Sequence, residues 1–414
     1  MSVLSNEERV KILSDIVSIK TVNSNELEVA HYFKRLFSQY GIRSHIDTVT
    51  DGRANLIATV GSSQPVIGIS GHMDVVSEGN HDDWTYDLFT LTENQGYLYG
   101  RGAADMKSGL AALAIALIEI KESGKLTQGT IKFMATVGEE MEQSGSQQLF
   151  EKGYADDLDA LLIAEPSFPS LVYAHKGSMD FRIKSKGRAS HSSIPFLGQN
   201  AIKPLLEFIQ NINQEYEKIM QTVKGESLDF SNMINKLENQ LPSHITKEKA
   251  QELIQGLVMT NSIVQGGTQV NSVPDFATAE FNVRTIPEYN NNKVKALFNE
   301  YIEQANHNGA SLTQELYLDL EPVVTTGQNR LVELGFDIAK SHFSNERDLI
   351  ITPTVAVTDA SNLLKGKDEN FPFLMFGPGN GPHQINECVE KANYLEFVEY
   401  YIEFITSYLN EENE

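Results

Sequence analysis

The first 170 residues alternate between two spacings of apolar positions. Residues 6–20 and 25–40 repeat their apolar positions with the helical period, and the second segment ends at Gly41, a residue type that often closes helices. Short apolar runs rich in β-branched residues predict strands at residues 55–60, 65–70, 130–137 and 160–164. The run from Gly109 to Ile120 predicts a buried helix, because a membrane span needs about 20 apolar residues. This alternation predicts an α/β domain with a mixed, mostly parallel sheet flanked by helices.

A different pattern begins at Ser178 and continues to Pro322. Its periods give the order strand, helix, strand, strand, helix, strand, which is the βαββαβ arrangement of a complete small domain with an antiparallel sheet. Residues 221–255 inside it are charged and weakly periodic, and they receive no assignment. The α/β pattern then resumes. We therefore predict one large domain formed by residues 1–177 and 323–414, with residues 178–322 inserted into it.

The charge of the chain limits its partners. Its 33 Lys and Arg against 56 Asp and Glu give a formal net charge of −23. Such a surface repels nucleic acid and anionic lipid, so neither is expected as a partner. Cys388 is the single cysteine, and the N-terminus lacks the basic segment and apolar block of a signal peptide. Both features predict a cytoplasmic protein.

Polar residues of one chemical kind follow the predicted strands. Because ligands bind beyond the carboxyl ends of parallel strands, these residues should meet at one edge of the sheet. They are His72, Asp74, Asp105, Glu139, Glu140, Glu165 and His383. Each alone has an ordinary explanation as a loop histidine, a helix cap or a solvated glutamate. Together they can be buried only if they are paired or bind metal, which favours a metal site.

The ligand types favour particular metals. Imidazole and carboxylate without thiolate suit zinc, with cobalt or manganese as substitutes. One carboxylate can bridge two ions in two-metal hydrolases, and the charge of two divalent ions balances Asp105, Glu140, Glu165 and a hydroxide. We therefore expect two Zn²⁺ per subunit, replaceable by Co²⁺ or Mn²⁺.

The adjacent glutamates, Glu139 and Glu140, are expected to have different roles. On an extended segment neighbouring side chains point to opposite sides, so Glu140 can face a metal while Glu139 faces the substrate. Glu139 is then the general base that takes a proton from the attacking water. Asp74 lies two residues from His72, and its carboxylate is expected to accept the other ring N–H and fix the tautomer.

At this point five ordered motifs resemble a known family. GHMDVV, YGRGAADMKSG, TVGEE, AEP and FGPGN with HQINE resemble the di-zinc deacylase and exopeptidase family, which includes succinyl-diaminopimelate desuccinylase, acetylornithine deacetylase, aminoacylase and carboxypeptidase G. The resemblance covers nearly the whole chain, and it is greatest to the desuccinylases, because INECVE follows the last histidine. It implies a zinc-hydrolase catalytic domain with an inserted domain that dimerises and forms a lid.

The resemblance also implies a ligand arrangement. His72 and Glu165 would bind one zinc ion. His383 and Glu140 would bind the other, and Asp105 would bridge the two. It likewise implies that Glu139 is the catalytic base and that Asp74 orients His72.

Contacts to the substrate follow from the resemblance alone. His191 in GRASHSS would reach the active site of the partner subunit of a homodimer and stabilise the oxyanion. Asn271 and Arg284 resemble the residues of the family that bind the substrate carboxylate, and Lys176 and Ser178 lie at the hinge beside them. Near residue 358 the chain departs from the desuccinylases. The stretch VTDASN keeps Thr358 and Asp359 as candidate substrate contacts but lacks the arginine of the Thr-Ser-Asp-Gly-Arg motif.

The activity implied is zinc-dependent removal of an N-acyl group. The preferred substrate is N-succinyl-LL-2,6-diaminopimelate, which would place the enzyme in lysine and diaminopimelate biosynthesis. N-acetylornithine and di- or tripeptides are the alternatives within the family. A non-catalytic binding relative is a more distant alternative, since none of the seven metal and catalytic positions of the large domain is lost.

Overall fold

The computed structural model describes residues 2–343, 349–379 and 381–410. Its helices in chain order are α1 (Asn6–Ser18), α2 (Glu26–Gln39), α3 (Lys107–Ser123), α4 (Ser144–Glu151), α5 (Ile202–Thr222), α6 (Ser231–Leu237), α7 (Lys247–Gln255), α8 (Asn291–His307), α9 (Arg330–Phe343), α10 (Ala360–Leu363) and α11 (Lys391–Asn410). Its strands are β1 (Arg43–Thr50), β2 (Arg53–Gly61), β3 (Val66–His72), β4 (Thr92–Asn94), β5 (Tyr97–Tyr99), β6 (Thr130–Thr136), β7 (Ala160–Pro166), β8 (Ser170–His175), β9 (Gly177–Lys186), β10 (Val258–Gly266), β11 (Phe276–Thr285), β12 (Leu312–Leu320), β13 (Ile350–Thr354), β14 (Phe373–Gly377) and β15 (Cys388–Glu390).

The chain forms two compact units. The first consists of Met1–Ala174, Thr325–Thr352 and Thr358–Glu414, and the second of His175–Val324 and Pro353–Val357. Each unit has its own cluster of buried apolar side chains. Within the described part of the chain, no helix combines the length and the apolar character that crossing a bilayer requires.

The first unit is built on an eight-stranded sheet with the order β1-β2-β6-β3-β7-β14-β8-β13. The central strands β6, β3, β7 and β14 are parallel, and β1 and β2 extend the sheet in antiparallel fashion. Every residue of β3 is buried, as expected for a strand covered on both faces. This confirms the predicted α/β class with a mixed sheet flanked by helices.

Helix α3 packs unusually close to the sheet. Its residues from Lys107 to Ile120 are all buried. Gly109 makes the close approach possible, because a Cβ at this position would lie 2.0 Å from the carbonyl oxygen of Ala164 in β7. The close packing brings the segment that ends at Asp105 beside the end of β7, where Glu165 lies.

The second unit contains a four-stranded antiparallel sheet with the order β10-β11-β9-β12. Helices α5 and α8 bury their apolar faces in its core. Residues 221–255, which the sequence left unassigned, contain the short helices α6 and α7. The core of the unit thus follows the predicted βαββαβ order, with α6 and α7 added between α5 and β10.

Candidate metal centre

The predicted polar residues of the first unit come together at one edge of its sheet. His72 is the last residue of β3, and Glu165 lies near the end of β7. Glu139 and Glu140 follow β6, and His383 lies in the segment after β14. Because β6, β3, β7 and β14 are parallel, their carboxyl ends meet there. Asn380, in the predicted motif before His383, lies outside the described residues.

Asp105 stands between the two histidines. Its Oδ1 lies 3.1 Å from Nε2 of His72, and its Oδ2 lies 3.3 Å from Nε2 of His383. The other carboxylates flank this core, with Oε1 of Glu165 3.6 Å from Nε2 of His72 and Oε2 of Glu140 3.0 Å from Nε2 of His383. Each oxygen of Asp105 therefore faces one imidazole, as a bridging ligand requires.

Two groups of ligand atoms are compact enough to hold an ion. Atoms of His72, Asp105 and Glu140 lie within 4.8 Å of one another, and so do atoms of His72, Glu139 and Glu165. The second group includes Glu139, the residue predicted as base. Its carboxylate therefore lies beside the same histidine as the predicted ligand Glu165.

The electrostatics of the site favour a cation. Burial raises the pKa of Glu165 and of Glu139 well above the ordinary value, and repulsion from neighbouring carboxylates, Glu140 and Asp359 in both cases, raises it further against the lowering effect of His72. Burial lowers the pKa of His72, but the carboxylates of Glu165, Asp105 and Asp74 outweigh it and hold that pKa well above its ordinary value. Hydrogen bonds to Asp105 and Glu140 raise the pKa of His383 to about 10. The metal-free site therefore retains protons where cations would bind.

One buried oxygen supports the same conclusion. Oε1 of Glu140 has no hydrogen-bond partner among the described residues, although it is inaccessible to solvent. An ionised carboxylate oxygen in that position is costly unless a cation compensates it. Imidazole nitrogens and carboxylate oxygens are the donors that zinc, cobalt and manganese accept. The residues therefore fit a pair of divalent transition ions.

Asp74 makes contacts other than the predicted ones. Its main-chain oxygen, not its carboxylate, lies within hydrogen-bonding distance of Nδ1 of His72, at 2.9 Å. The carboxylate is 3.7 Å from that nitrogen and instead accepts the backbone N–H groups of Gly138, Glu139 and Glu140 at 2.8, 3.3 and 3.1 Å. Asp74 thus fixes both the histidine and the turn that carries the two glutamates.

The predicted extended conformation of Glu139 and Glu140 is wrong. They lie in a turn that separates β6 from α4. Gly138 enters this turn with φ of +75°, and a Cβ there would come 2.9 Å from Oγ of Ser144. The three N–H groups that converge on Asp74 stabilise the turn. Hydrogen bonds from these N–H groups to the buried Asp74 carboxylate favour the turn more strongly than the preceding strand favours continued extension.

Two further residues lie at the site: Gln143, which the sequence did not single out, and Asp359, a candidate beside Thr358. Nε2 of Gln143 donates a hydrogen bond to Oε1 of Glu139 at 3.0 Å. Asp359 is buried and accepts a hydrogen bond from Oγ1 of Thr136 at 2.5 Å, and burial raises its pKa to about 6. Thr358, the predicted substrate contact, is buried, and its hydroxyl oxygen accepts the N–H of Ala360 at the start of α10.

The remaining predicted residues lie in the second unit. His191 is exposed, and its Nδ1 lies 2.7 Å from Oγ of Ser193. Asn271 is adjacent, because its carbonyl accepts the N–H of Ser192 at 3.0 Å. In the antiparallel pairing of β9 and β11, Ser178 lies opposite Arg284. The unit therefore holds two separate groups of predicted contacts.

Lys176 is buried, not open to solvent. Its Nζ donates a hydrogen bond to the carbonyl of Gly256 at 2.6 Å and lies 5.8 Å from the centre of the Phe230 ring. Burial, with a smaller effect of Arg284, lowers its pKa to about 8. In this structure the ammonium group thus holds the α6–α7 segment in place.

Comparisons with known proteins agree with this geometry. Residues 68–407 match the model of peptidase family M20/M25/M40. A protein from Staphylococcus epidermidis named probable succinyl-diaminopimelate desuccinylase is 44% identical over 411 residues, which cover 99% of this chain and 100% of that protein.

Two solved structures have a similar fold. An M20 family metallo-carboxypeptidase from Sulfolobus solfataricus has a TM-score of 0.79 at 19% identity, covering 97% of this chain and 99% of that one. A tripeptidase from Staphylococcus aureus has a TM-score of 0.70 at 21% identity, covering 98% and 99% of the two chains. At these identities the similarity concerns the fold alone.

Proposed function

The chain belongs to peptidase family M20/M25/M40 and hydrolyses amide bonds, and from that premise we propose that it removes the succinyl group of N-succinyl-LL-2,6-diaminopimelate. The reaction would serve lysine and diaminopimelate biosynthesis in the cytoplasm. The position of Asp105 between two histidines carries the proposal of a two-ion hydrolase. The name and the 44% identity of the Staphylococcus epidermidis relative support the choice of substrate.

The distances between the ligand atoms support the following assignment of residues to the two ions. His72 and Glu165 would bind one zinc ion, and Asp105 would be shared. His383 and Glu140 would bind the other. Cobalt or manganese could replace zinc. Two such ions polarise a carbonyl oxygen and make a water molecule acidic enough to act as nucleophile near neutral pH.

The proton is moved by residues of the chain. Glu139 lies beside the ligand group, so its carboxylate can take a proton from the attacking water and deliver it to the leaving amine. The hydrogen bond from Gln143 engages Oε1 of Glu139, which leaves Oε2 for the proton. Asp74 holds the turn that carries this base through backbone N–H groups. These contacts limit the movement of Glu139 during the transfer.

The second unit would bind the substrate and the partner subunit. We assign Arg284, Asn271 and Ser178 to the carboxylates of the acylated amino acid. His191 would donate a hydrogen bond to the oxyanion in the active site of the partner subunit of a homodimer. Strand β10 supports dimerisation, because it is the edge of its sheet and exposes 42% of Ile263 and 50% of Val264.

A substrate panel tests the proposal. Metal-loaded protein is assayed with N-succinyl-LL-2,6-diaminopimelate, N-acetylornithine, and a di- and a tripeptide, with Glu139→Gln as the control for contaminating hydrolases. We expect kcat/KM for the succinylated substrate to exceed the others by at least about 100-fold, because N-acetylornithine and the peptides lack the carboxylate of the succinyl group, and a site that pairs a substrate group rejects analogues without it. Higher activity on N-acetylornithine or peptides would reject the desuccinylase assignment, and bound metal without turnover would indicate a binding protein.

A further inference from the structure

Glu387 connects the two loops that carry Asp105 and His383. It is buried, with 3% of its surface exposed, and lies 282 positions along the chain from Asp105. Its Oε1 accepts the backbone N–H groups of Ala104 and Asp105 at 2.8 and 2.9 Å. Its Oε2 pairs with Nη1 of Arg101 at 2.5 Å. One carboxylate therefore determines where the backbone of the proposed shared ligand lies.

The main chain and Arg101 strengthen this connection. The carbonyl of Glu387 accepts the N–H of Gly100 at 3.0 Å, and Nη1 of Arg101 also donates to the carbonyl of Gln384 at 3.3 Å. Arg101 is itself buried, and its guanidinium lies 5.0 Å from the ring of Trp84. The loop from residue 100 to 105 and the loop from 383 to 387 are thus attached to each other at several points.

His383 depends on such an attachment. Its side chain is 52% exposed, so packing does not fix it. Its backbone has φ of +65°, and that of Asn386 has φ of +57°, a left-handed conformation that favours glycine and that His and Asn adopt more readily than most other residues. The side chain of Asn386 contributes by accepting the N–H of Thr85 at 2.7 Å. The buried Glu387 is the strongest of these anchors, because both of its oxygens are engaged.

We propose that Glu387 is a positioning residue which holds the Asp105 loop against the His383 loop and thereby sets the affinity for the ion bound by His383, Asp105 and Glu140. The proposal rests on the two-ion centre proposed above. The ion held by His72 and Glu165 should depend less on Glu387, because those two ligands lie on β3 and β7 and only the shared Asp105 lies in a loop that Glu387 holds. The predicted loss of affinity is therefore larger for one of the two ions.

The test must separate the effect of Glu387 on the position of the two loops from the effect of its negative charge on the ions. Glu387→Gln alone leaves the Arg101 guanidinium buried without its counter-ion, which would repel both cations. The double variant Glu387→Gln with Arg101→Met removes both charges and keeps the net charge of the pair at zero. Glu390→Gln is the matched control, since Glu390 ends β15, the short strand that begins directly after Glu387, and is partly exposed.

Metal-free protein is titrated with Co²⁺, and binding is followed by calorimetry and by the visible absorption of the bound ion. We expect two binding steps in the wild type and in Glu390→Gln. In the double variant one binding step should lose at least tenfold in affinity, and the loss in the other step should be at least threefold smaller. If the double variant does not fold by circular dichroism, Glu387→Asp, whose shorter side chain cannot reach both Arg101 and the two N–H groups, is judged by the same criterion.

The outcomes distinguish the two proposals. Unchanged Co²⁺ affinities in both binding steps, or an equal loss of affinity in both, would overturn the role of Glu387 and leave the two-ion centre intact. A wild type that binds only one Co²⁺ would overturn the two-ion centre, and the inference with it.

Discussion

The carboxylate of Asp74 accepts the backbone N–H of Glu140, with Oδ2 3.1 Å from the nitrogen. Its other oxygen accepts the N–H groups of Gly138 and Glu139. The acidic side chain thus organises a turn that carries two further acidic side chains. Carboxylates repel one another, so the geometry is stable only because backbone donors and, in the loaded site, cations surround them.

We therefore predict that Asp74→Ala destabilises the protein and inactivates it. The substitution leaves buried N–H groups without an acceptor, each at a cost of about 1–3 kcal/mol. We expect the melting temperature of the metal-free protein to fall by more than about 4 °C. Asp82→Ala is the control, because Asp82 is exposed. Equal melting temperatures for the two variants would show that the turn does not depend on Asp74.

Glu139→Gln should abolish turnover and leave the metal content unchanged. Glutamine has the same shape and can still accept the hydrogen bond from Gln143, but it cannot take a proton. General-base catalysis contributes about 10²–10⁴-fold, so kcat should fall by at least that factor. Glu142→Gln is the matched control in the same turn, since its carboxylate is 50% exposed and pairs with Arg53. A Glu139→Gln variant within tenfold of wild-type kcat would exclude Glu139 as the base.

Elements with strong apolar periods could be predicted from the sequence. Strand β3 and helix α3 are buried along almost their whole length, so their apolar character follows from their position. Strand β1 was not predicted, because it lies at the sheet edge and none of its residues is buried. Helices α6 and α7 were missed for a similar reason, since each buries one residue and they follow a stretch without periodicity. Short or edge elements leave too little pattern to detect.

The site residues were predictable where chemistry and strand ends coincide. His72 and Glu165 lie at the ends of buried strands and the pair at 139–140 follows one, so the sequence alone indicates these positions. The roles of Gln143 and Glu387 depend on the course of the backbone after the strands. Gln143 reaches Glu139 because its own φ is +52°, and Glu387 reaches Asp105 across 282 positions. Gln143 lies three residues after TVGEE and Glu387 is the last residue of HQINE, but the motifs alone did not indicate either contact.

As pH rises from 6.5 to about 10, the metal-free protein should lose the stability that His383 contributes, while the buried Lys176, with its pKa lowered to about 8, acts in the opposite direction. Hydrogen bonds to Asp105 and Glu140 raise the folded-state pKa of His383 to about 10, against an ordinary value of 6.5. A raised histidine pKa contributes stability that is complete below 6.5 and is lost as pH passes through the folded-state value. The raised pKa of Glu139 and of Glu165 acts in the same direction, because the folded state favours their protonated forms.

Calorimetry at pH 7, 8, 9 and 10 checks this. We expect the melting temperature of metal-free protein to fall over the series relative to that of zinc-loaded protein, because ligation replaces the protons of the site and the buried lysines titrate in both forms. Adding Zn²⁺ at pH 8 should release at least one proton per active site, detected with a pH indicator. A difference between the zinc-loaded and metal-free melting temperatures that shrinks from pH 7 to 9 would contradict the assigned pairing of His383.

Removal of metal should inactivate the enzyme reversibly. Dialysis against a chelator leaves Asp105, Glu140 and Glu165 crowded without compensating cations, so the protein should also melt at a lower temperature. Zinc or cobalt should restore activity at two ions per subunit, whereas Mg²⁺ should restore little, because it prefers oxygen ligands. Full activity in chelator, with metal shown to be absent by elemental analysis, would contradict the proposed chemistry.

The exposed His191 gives the sharpest test of the dimer. His191→Ala should lower kcat by about 10²-fold, the usual effect of removing one oxyanion donor, without changing the metal content. His307→Ala, an exposed histidine at the end of α8, is the control. Val264→Glu on the exposed edge strand β10 should produce monomers with the same defect.

Mixing two variants of low activity then distinguishes a His191 that acts across the dimer interface from one that acts within its own subunit. A dimer of His191→Ala and Glu139→Gln subunits contains one site with both Glu139 and a partner histidine if His191 acts across the interface. Half of randomly mixed dimers are of this kind and each has one complete site, so activity should recover to about a quarter of the wild-type value in a two-fold symmetric dimer. If His191 acted within its own subunit, no site in the mixture would be complete and no activity would return. Absence of recovery in dimers whose subunit exchange is proven would therefore reject the cross-subunit role.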